Sequence, residues 1–175
     1  NTNEPPLPAS ASSGGLIARY TFDNAGNLGE DSSGNGRDLT SVAVTSATGR
    51  TVAGSGAANF DGATSRMTFP NIGQVLGDNF SISFWLKNNS SANHTVPIYL
   101  MSNTSGAGEA GFILQGHNTI NFNYWTGRWQ TGPSVTGAMD NEWHHLVVTI
   151  EGDDIYVYKD GELHDSTLNS GLTMY

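Results

Sequence analysis

Phe80-Ser81-Ile82-Ser83-Phe84-Trp85-Leu86 decides the fold class. Phe80, Ile82, Phe84 and Leu86 fall on one side of an extended chain, and Ser81, Ser83 and Trp85 on the other. Strict alternation over seven residues has the period of a strand; a helix would scatter the same apolar residues around its circumference. The pattern predicts a half-buried strand with Phe84 in the core.

Further strand signals lie on both sides of this one. Trp143–Ile150 (WHHLVVTI) leads through Glu151-Gly152-Asp153-Asp154 into Ile155–Lys159 (IYVYK), a hairpin with Leu146, Val148 and Ile150 on one face opposite Ile155 and Val157. Asp160-Gly161 marks a second tight turn before Glu162-Leu163-His164-Asp165-Ser166. Upstream, VPIYLM (96–101), GFILQ (111–115) and TINFNYW (119–125) read as closely spaced strands. Ala57–Gly62 and Ser65–Phe69 are expected as two short strands about a Gly-containing turn. Leu16–Phe22 (LIARYTF) also alternates and is expected as a strand. No run long enough for a helix is free of Gly and β-branched residues, so the chain is all-β.

Composition agrees. The 175 residues include 22 Gly, with only 13% charged side chains, which suits short strands and turns better than helices. Seven Phe, six Tyr and four Trp spread along the chain argue against disorder. Asn1–Gly15 carries three of the six prolines beside a small-residue tract, and is expected to be a flexible linker or arm before a domain at residues 16–175. The net charge of −9 makes nucleic acid an unsuitable partner, because phosphate binding needs clustered Lys and Arg. The absence of Cys excludes thiolate metal sites, a cysteine nucleophile and disulfides. No apolar run approaches the ~20 residues of a membrane-crossing helix, so no membrane insertion is expected.

Five segments, in order, carry a resemblance: Leu16–Asp23 (LIARYTFD), Glu30–Asp38 (EDSSGNGRD), Ala58–Gly62 (ANFDG), Phe80–Lys87 (FSISFWLK) and Trp143–Leu163 (WHHLVVTIEGDDIYVYKDGEL). Together they resemble the bacterial laminin-G-like group of the concanavalin-A-like lectin/glucanase superfamily. The resemblance implies a two-sheet antiparallel β-sandwich, a jelly roll. Domains of that group usually continue past the point where this chain stops at Tyr175. One or more C-terminal strands are therefore expected either in a continuation of the chain or from pairing with another chain, since an open edge invites pairing.

Relatives of this kind include glycoside hydrolases, whose paired carboxylates alternate along one strand. The nearest approach here, Glu151-Gly152-Asp153-Asp154, reads as a hairpin tip, and no Gly-x-Ser-x-Gly elbow accompanies the five histidines. The chain is therefore read as a binding module and not as an enzyme. Within the strand signal, His144 shares parity with Leu146 and is expected to be a hydrogen-bonded core histidine, with His145 on the other face.

Calcium is the cofactor the acid-rich turns suggest, because a hard cation takes carboxylate and carbonyl oxygens. Asp23, Asp31 and Asp61 are its candidate ligands, with Asp38 in the same turn-rich region. The alternative is that these side chains make Asx turns. For ligand contact the informative stretch is Asn121–Gln130 (NFNYWTGRWQ). Alternation sets Phe122 and Tyr124 on one face, and Asn121, Asn123 and Trp125 on the other. Asn121, Asn123, Trp125, Arg128 and Trp129 are the candidate sugar contacts, since sugar C–H faces stack on indoles.

The function the resemblance implies is an extracellular or cell-surface, lectin-like carbohydrate-binding module, part of a larger polysaccharide-active enzyme or surface protein. A cell-adhesion module that binds protein and a structural spacer are the alternatives.

Overall fold

The computed structural model describes residues 15–50, 55–69, 76–77, 79–88, 98–100, 110–115 and 119–172. The expected arm, Asn1–Gly15, lies outside them except for Gly15. No helix occurs among the described residues, and all strand pairs are antiparallel. Two compact units divide the chain, Gly14–Ile72 and a larger one over Gly73–Tyr175.

The smaller unit holds two two-stranded ladders. Strand β1 (Thr40–Val42) pairs with β4 (Arg66–Thr68), and β2 (Thr45–Thr48) with β3 (Gly56–Asn59). The two short strands expected about the turn at Asp61-Gly62 are present, and each pairs with a different earlier strand. Asp61 makes the reason visible. It gathers the amides of Ala63, Thr64 and Ser65 and the hydroxyls of Thr64 and Ser65 into a tight local turn. The two flanking strands leave that turn for separate partners.

Leu16–Phe22 is a correction. The segment forms no strand and joins no ladder among the described residues, and it ends at Phe22 with φ 60°. Side chains of the turn-rich loop satisfy its backbone instead. Asn35 Nδ2 donates to the carbonyls of Leu16 (2.8 Å) and Ile17 (3.0 Å), and Arg37 Nη1 donates to Ile17 O at 2.8 Å. Arg19 donates its N–H to Asp31 Oδ1 and accepts from Ser32 N. Buried backbone groups need partners, but these need not come from a sheet.

The larger unit contains two four-stranded sheets. One runs in the order β12 (Glu162–Thr167), β11 (Asp154–Lys159), β10 (Trp143–Glu151), β5 (Asn79–Lys87). The other runs β6 (Ile98–Leu100), β7 (Ala110–Gln115), β8 (Thr119–Trp125), β9 (Trp129–Thr136). Strand β9 lies against β11 and β12, bringing the two sheets together within this unit.

The hairpin expectation holds in register: Val148 faces Val157 and Ile150 faces Ile155. These four residues and Leu146 are fully buried, with Ile120, Phe122 and Val135 from the other sheet. Burying one such side chain stabilises the fold by about 1.5–3 kcal/mol. Exposure alternates residue by residue along β5, as the sequence pattern requires. Phe80 is the buried member of its inward set, whereas Phe84 is only half-buried, a partial correction. Asp160 and Gly161 both have positive φ (53° and 91°) and form the two-residue turn between Lys159 and Glu162, which suits the twist of the flanking strands.

Candidate sugar-binding site

The β8–β9 hairpin positions the aromatic candidates. Trp125 faces Trp129 across the last pair of the ladder, and Thr126-Gly127-Arg128 closes it, with Gly127 at φ 84°. Thr126 N donates to Arg128 O at 3.1 Å, and Gln130 Nε2 to Thr126 Oγ1 at 3.2 Å, which stiffens the tip. The two indoles meet edge to face, with centroids 5.7 Å apart and planes at 76°. Trp125 is half-buried, Trp129 is 44% exposed, and Arg128 is exposed at the turn.

Behind the pair, the ladder changes register between Asn121 and Asn123, where β9 carries one residue more than β8. Gly132-Pro133 occupies that irregularity. Proline has no N–H for a ladder, so a bulge is where β9 can hold it. A Cβ on Gly132 would run into the carbonyl of Phe122 and the ring of Tyr124. Phe122 and Tyr124 are buried on the inward face, as alternation predicts. Asn121 and Asn123 occupy the opposite parity with Trp125, yet each is only 7% exposed. The five candidates are therefore brought together on one hairpin, as two enclosed amides behind an open aromatic end.

The calcium candidates are not brought together. Asp31 is largely buried and accepts from Ser33 Oγ, from the amide of Arg19, and from those of Ser33 and Arg37. The Ser33 hydroxyl and these N–H groups hold its carboxyl well below the usual carboxylate range, against the opposing effect of burial. Asp61 is held down likewise, first by the Ser65 amide and then by Ala63, Ser65 Oγ and Thr64. Asp38 Oδ1 accepts from Asp31 N. Asp23 Oδ1 accepts from Gly56 N at 2.7 Å, while no described residue donates to Oδ2. No group of three His, Cys, Asp or Glu converges among the described residues. The bonds of Asp61 are those of a local Asx-type turn. Asp31 adds to its own Asx bond with Ser33 the amides of Arg19 and Arg37. Asp23 is the candidate with an oxygen to spare. Asp23 and Glu30 line a cleft in the smaller unit, with Thr21, Phe22, Asn24, Asn27 and Ser32.

Glu151 and Asp154 face each other at the end of the β10–β11 ladder, with Gly152-Asp153 in the turn between them, so the carboxylates sit on a hairpin tip. His94 and His117 lie outside the described residues. The His144 imidazole reaches Asp160 Oδ2 at 2.8 Å and Asp140 Oδ1 at 3.1 Å. Both ring nitrogens donate only in the imidazolium. The Asp160 bond, aided by Asp140, accordingly raises its pKa despite desolvation.

His145, on the opposite face, stacks on Trp85 at 5.0 Å and contacts Ser83 Oγ at 2.7 Å. This second exposed aromatic spot was not singled out from the sequence. The signal was available, because Trp85 and His145 have the same outward parity in two strands that pair.

Residues 61–173 match the family model Laminin_G_3, described as the Concanavalin A-like lectin/glucanases superfamily. No curated protein sequence matches the chain. Among solved structures, domain 4 of AbnA is similar in fold. That protein is a GH43 extracellular arabinanase from Geobacillus stearothermophilus, and its structure is a complex with arabinotriose. The TM-score is 0.68 at 23% identity, over 88% of this chain and 75% of the other. The fold is the antiparallel β-sandwich of that superfamily. No helix among the described residues is long and apolar enough to cross a membrane.

Proposed function

This chain belongs to the laminin-G-like family of the concanavalin A-like lectin/glucanase superfamily, and from that premise we propose that it is a carbohydrate-binding module acting outside the cell. The observation that carries the reading is the Trp125–Trp129 pair, one indole half-buried as a support and the other 44% exposed at the open end of a rigid hairpin. An indole held in place offers a sugar's C–H face a large apolar contact at little entropic cost. The fold's likeness to an arabinanase domain solved with arabinotriose supports a neutral oligosaccharide as the ligand class. Attachment to a larger polysaccharide-active enzyme or surface protein follows from the same reading. A cell-adhesion module or a structural spacer are the readings it competes with. Calcium, where bound, would act through Asp23 and stabilise the fold, with no part in sugar chemistry.

Affinity electrophoresis and calorimetry against arabinotriose and a panel of neutral oligosaccharides test the proposal. Retardation by at least one glycan that Trp129→Ala abolishes is the expected result. A wild-type chain that binds none of them overturns it.

A further inference from the structure

We propose that the outer face of the sheet β12-β11-β10-β5 is a second carbohydrate site, centred on Trp85, which engages a neutral polysaccharide chain and makes the module bivalent. The proposal rests on the carbohydrate-binding reading above and adds to it a site on the other sheet. Trp85 is 44% exposed on the side of β5 that turns away from the core. Its indole lies nearly parallel to the His145 imidazole, with centroids 5.0 Å apart and planes at 27°. Ser83 Oγ fixes that imidazole through Nε2 at 2.7 Å. The indole is thus a ring held by its neighbours, which loses little freedom when a sugar stacks on it.

The surface beside Trp85 has the matching chemistry. Register sets Ser83, Val147, Tyr158 and Leu163 abreast across the four strands. The next row holds Ser81, Thr149, Tyr156 and Ser166. Six of these eight side chains carry hydroxyls, and Ser81, Ser83 and Ser166 are exposed. Hydroxyls both donate and accept, as the hydroxyls of a sugar require. The Ser83 row lies about 7 Å along the strand from Trp85, and each row spans roughly 15 Å across the sheet. A chain of several sugar rings fits such a strip.

Charge and exposure narrow the occupant. Neither row contains Asp, Glu, Lys or Arg, in a chain with 16 acidic and 7 basic residues. Nothing in the strip would neutralise a uronate, and the net charge of −9 disfavours one. Val147 and Tyr158 are half-buried between their neighbours, so Trp85 and Leu163 are the open apolar groups of the strip. That is less than the contiguous apolar patch that marks a protein interface. One open indole among small hydroxyls suits a neutral saccharide.

The two sites turn opposite ways. Trp85 has the parity opposite to buried Phe80 in one sheet, and Trp125 the parity opposite to buried Phe122 in the other. Both therefore point away from the core that the sheets share, and one module joins two stretches of polysaccharide. A single indole on an open face holds a short sugar weakly. A second contact to polysaccharide already held at the hairpin is intramolecular, and such linkage raises overall affinity by about 10²–10⁴-fold where both sites engage. The Trp85 site acts on polysaccharide and is silent toward trisaccharides.

Wild type, Trp85→Ala and Trp129→Ala are compared by calorimetry with arabinotriose, xylotriose and cellotriose, and by affinity electrophoresis in linear arabinan, xylan, soluble β-glucan and polygalacturonate. Trp85→Ala should bind the best trisaccharide as the wild type does, which also reports that the variant is folded. Its affinity for the matching polysaccharide should fall at least about tenfold. In NMR spectra of the wild type, the Trp85 indole N–H signal should shift or broaden with that polysaccharide and stay in place with the trisaccharide. This readout serves even where Trp85→Ala does not fold.

Equal retardation of Trp85→Ala and wild type, or an unmoved Trp85 signal, overturns the second site and leaves the hairpin site standing. Loss of trisaccharide affinity in a folded Trp85→Ala would make Trp85 part of the first site and overturn bivalency. Stronger retardation by polygalacturonate than by every neutral polymer overturns the neutral class. A wild-type dimer in sedimentation that Trp85→Ala dissociates assigns the face to a second copy of the chain instead. Should no trisaccharide bind while retardation depends on Trp85, the hairpin reading fails and the Trp85 site stands. A wild type that binds neither trisaccharide nor polysaccharide removes both.

Discussion

Trp125 and Trp129 are cross-strand partners whose rings meet at 76°, so that one indole buttresses the other at the end of the β8–β9 ladder. The arrangement assigns them unequal roles. Trp129 is the exposed platform, and Trp125 is partly a support for it.

Trp129→Ala should therefore weaken oligosaccharide binding by about 1–3 kcal/mol, on the scale of base–aromatic stacking, with little change in melting temperature. Trp125→Ala should weaken binding comparably and also lower the melting temperature, because it removes packing. Calorimetry and circular dichroism on both variants check this. Unchanged affinity in both would move the site away from the hairpin.

Gly132→Ala tests the backbone beneath the site. The new Cβ has to displace the Phe122 carbonyl or the Tyr124 ring, and both belong to the core strand β8. Overpacking of this kind costs about 1–3 kcal/mol. Urea unfolding should show a lower midpoint at an unchanged slope. A midpoint equal to that of the wild type would mean that β9 can shift freely away from β8.

Strands with one apolar face were legible because burial leaves its mark on every second residue, as in Phe80–Leu86 and Trp143–Ile150. Strands β1 and β2 were not, since Thr40–Val42 and Thr45–Thr48 are small and exposed throughout, with no face to reveal. Strand β9 was obscured by Gly132-Pro133, which reads as a loop until the register shift is seen. Leu16–Phe22 shows the converse: alternation was present, but Asn35, Arg37 and Asp31 took the place of a paired strand. Alternation also assigned Asn121 and Asn123 to the outward face. It could not foretell that they are enclosed, because enclosure depends on chain distant in sequence.

Calcium is expected to act through Asp23, the candidate carboxylate with an oxygen that no described residue occupies. A cation that binds only the folded state raises its melting temperature. The wild type should melt higher in excess calcium than in excess chelator, and Asp23→Asn should abolish the difference. Superimposable wild-type curves would remove calcium from the account.

His144 gives the fold a pH dependence whose sign can be worked out. The Asp160 carboxylate first, and Asp140 second, raise the pKa of the imidazole above its ordinary value near 6.5, against the effect of burial. Burial pushes Asp160 up, but its bonds to His144 and to the His145 amide outweigh that and lower it. Asp140 is lowered as well, by the Glu142 amide and then by His144. A raised histidine contributes stability that is fully present below its unfolded pKa and is lost as pH climbs through the folded one. The lowered carboxylates contribute above their unfolded values near 3.9 and lose it as pH falls through their folded ones. The cluster is therefore most stabilising between about pH 4 and about pH 6.5, weakening on both sides. His144→Gln, which cannot take a proton, should melt below the wild type in that window and approach it toward alkaline pH. An NMR titration should place the His144 midpoint above that of a model histidine. A midpoint at or below the model value would contradict the ion pair, and with it the assignment of His144 as a charged clasp between the β10 strand and the Asp160-Gly161 turn.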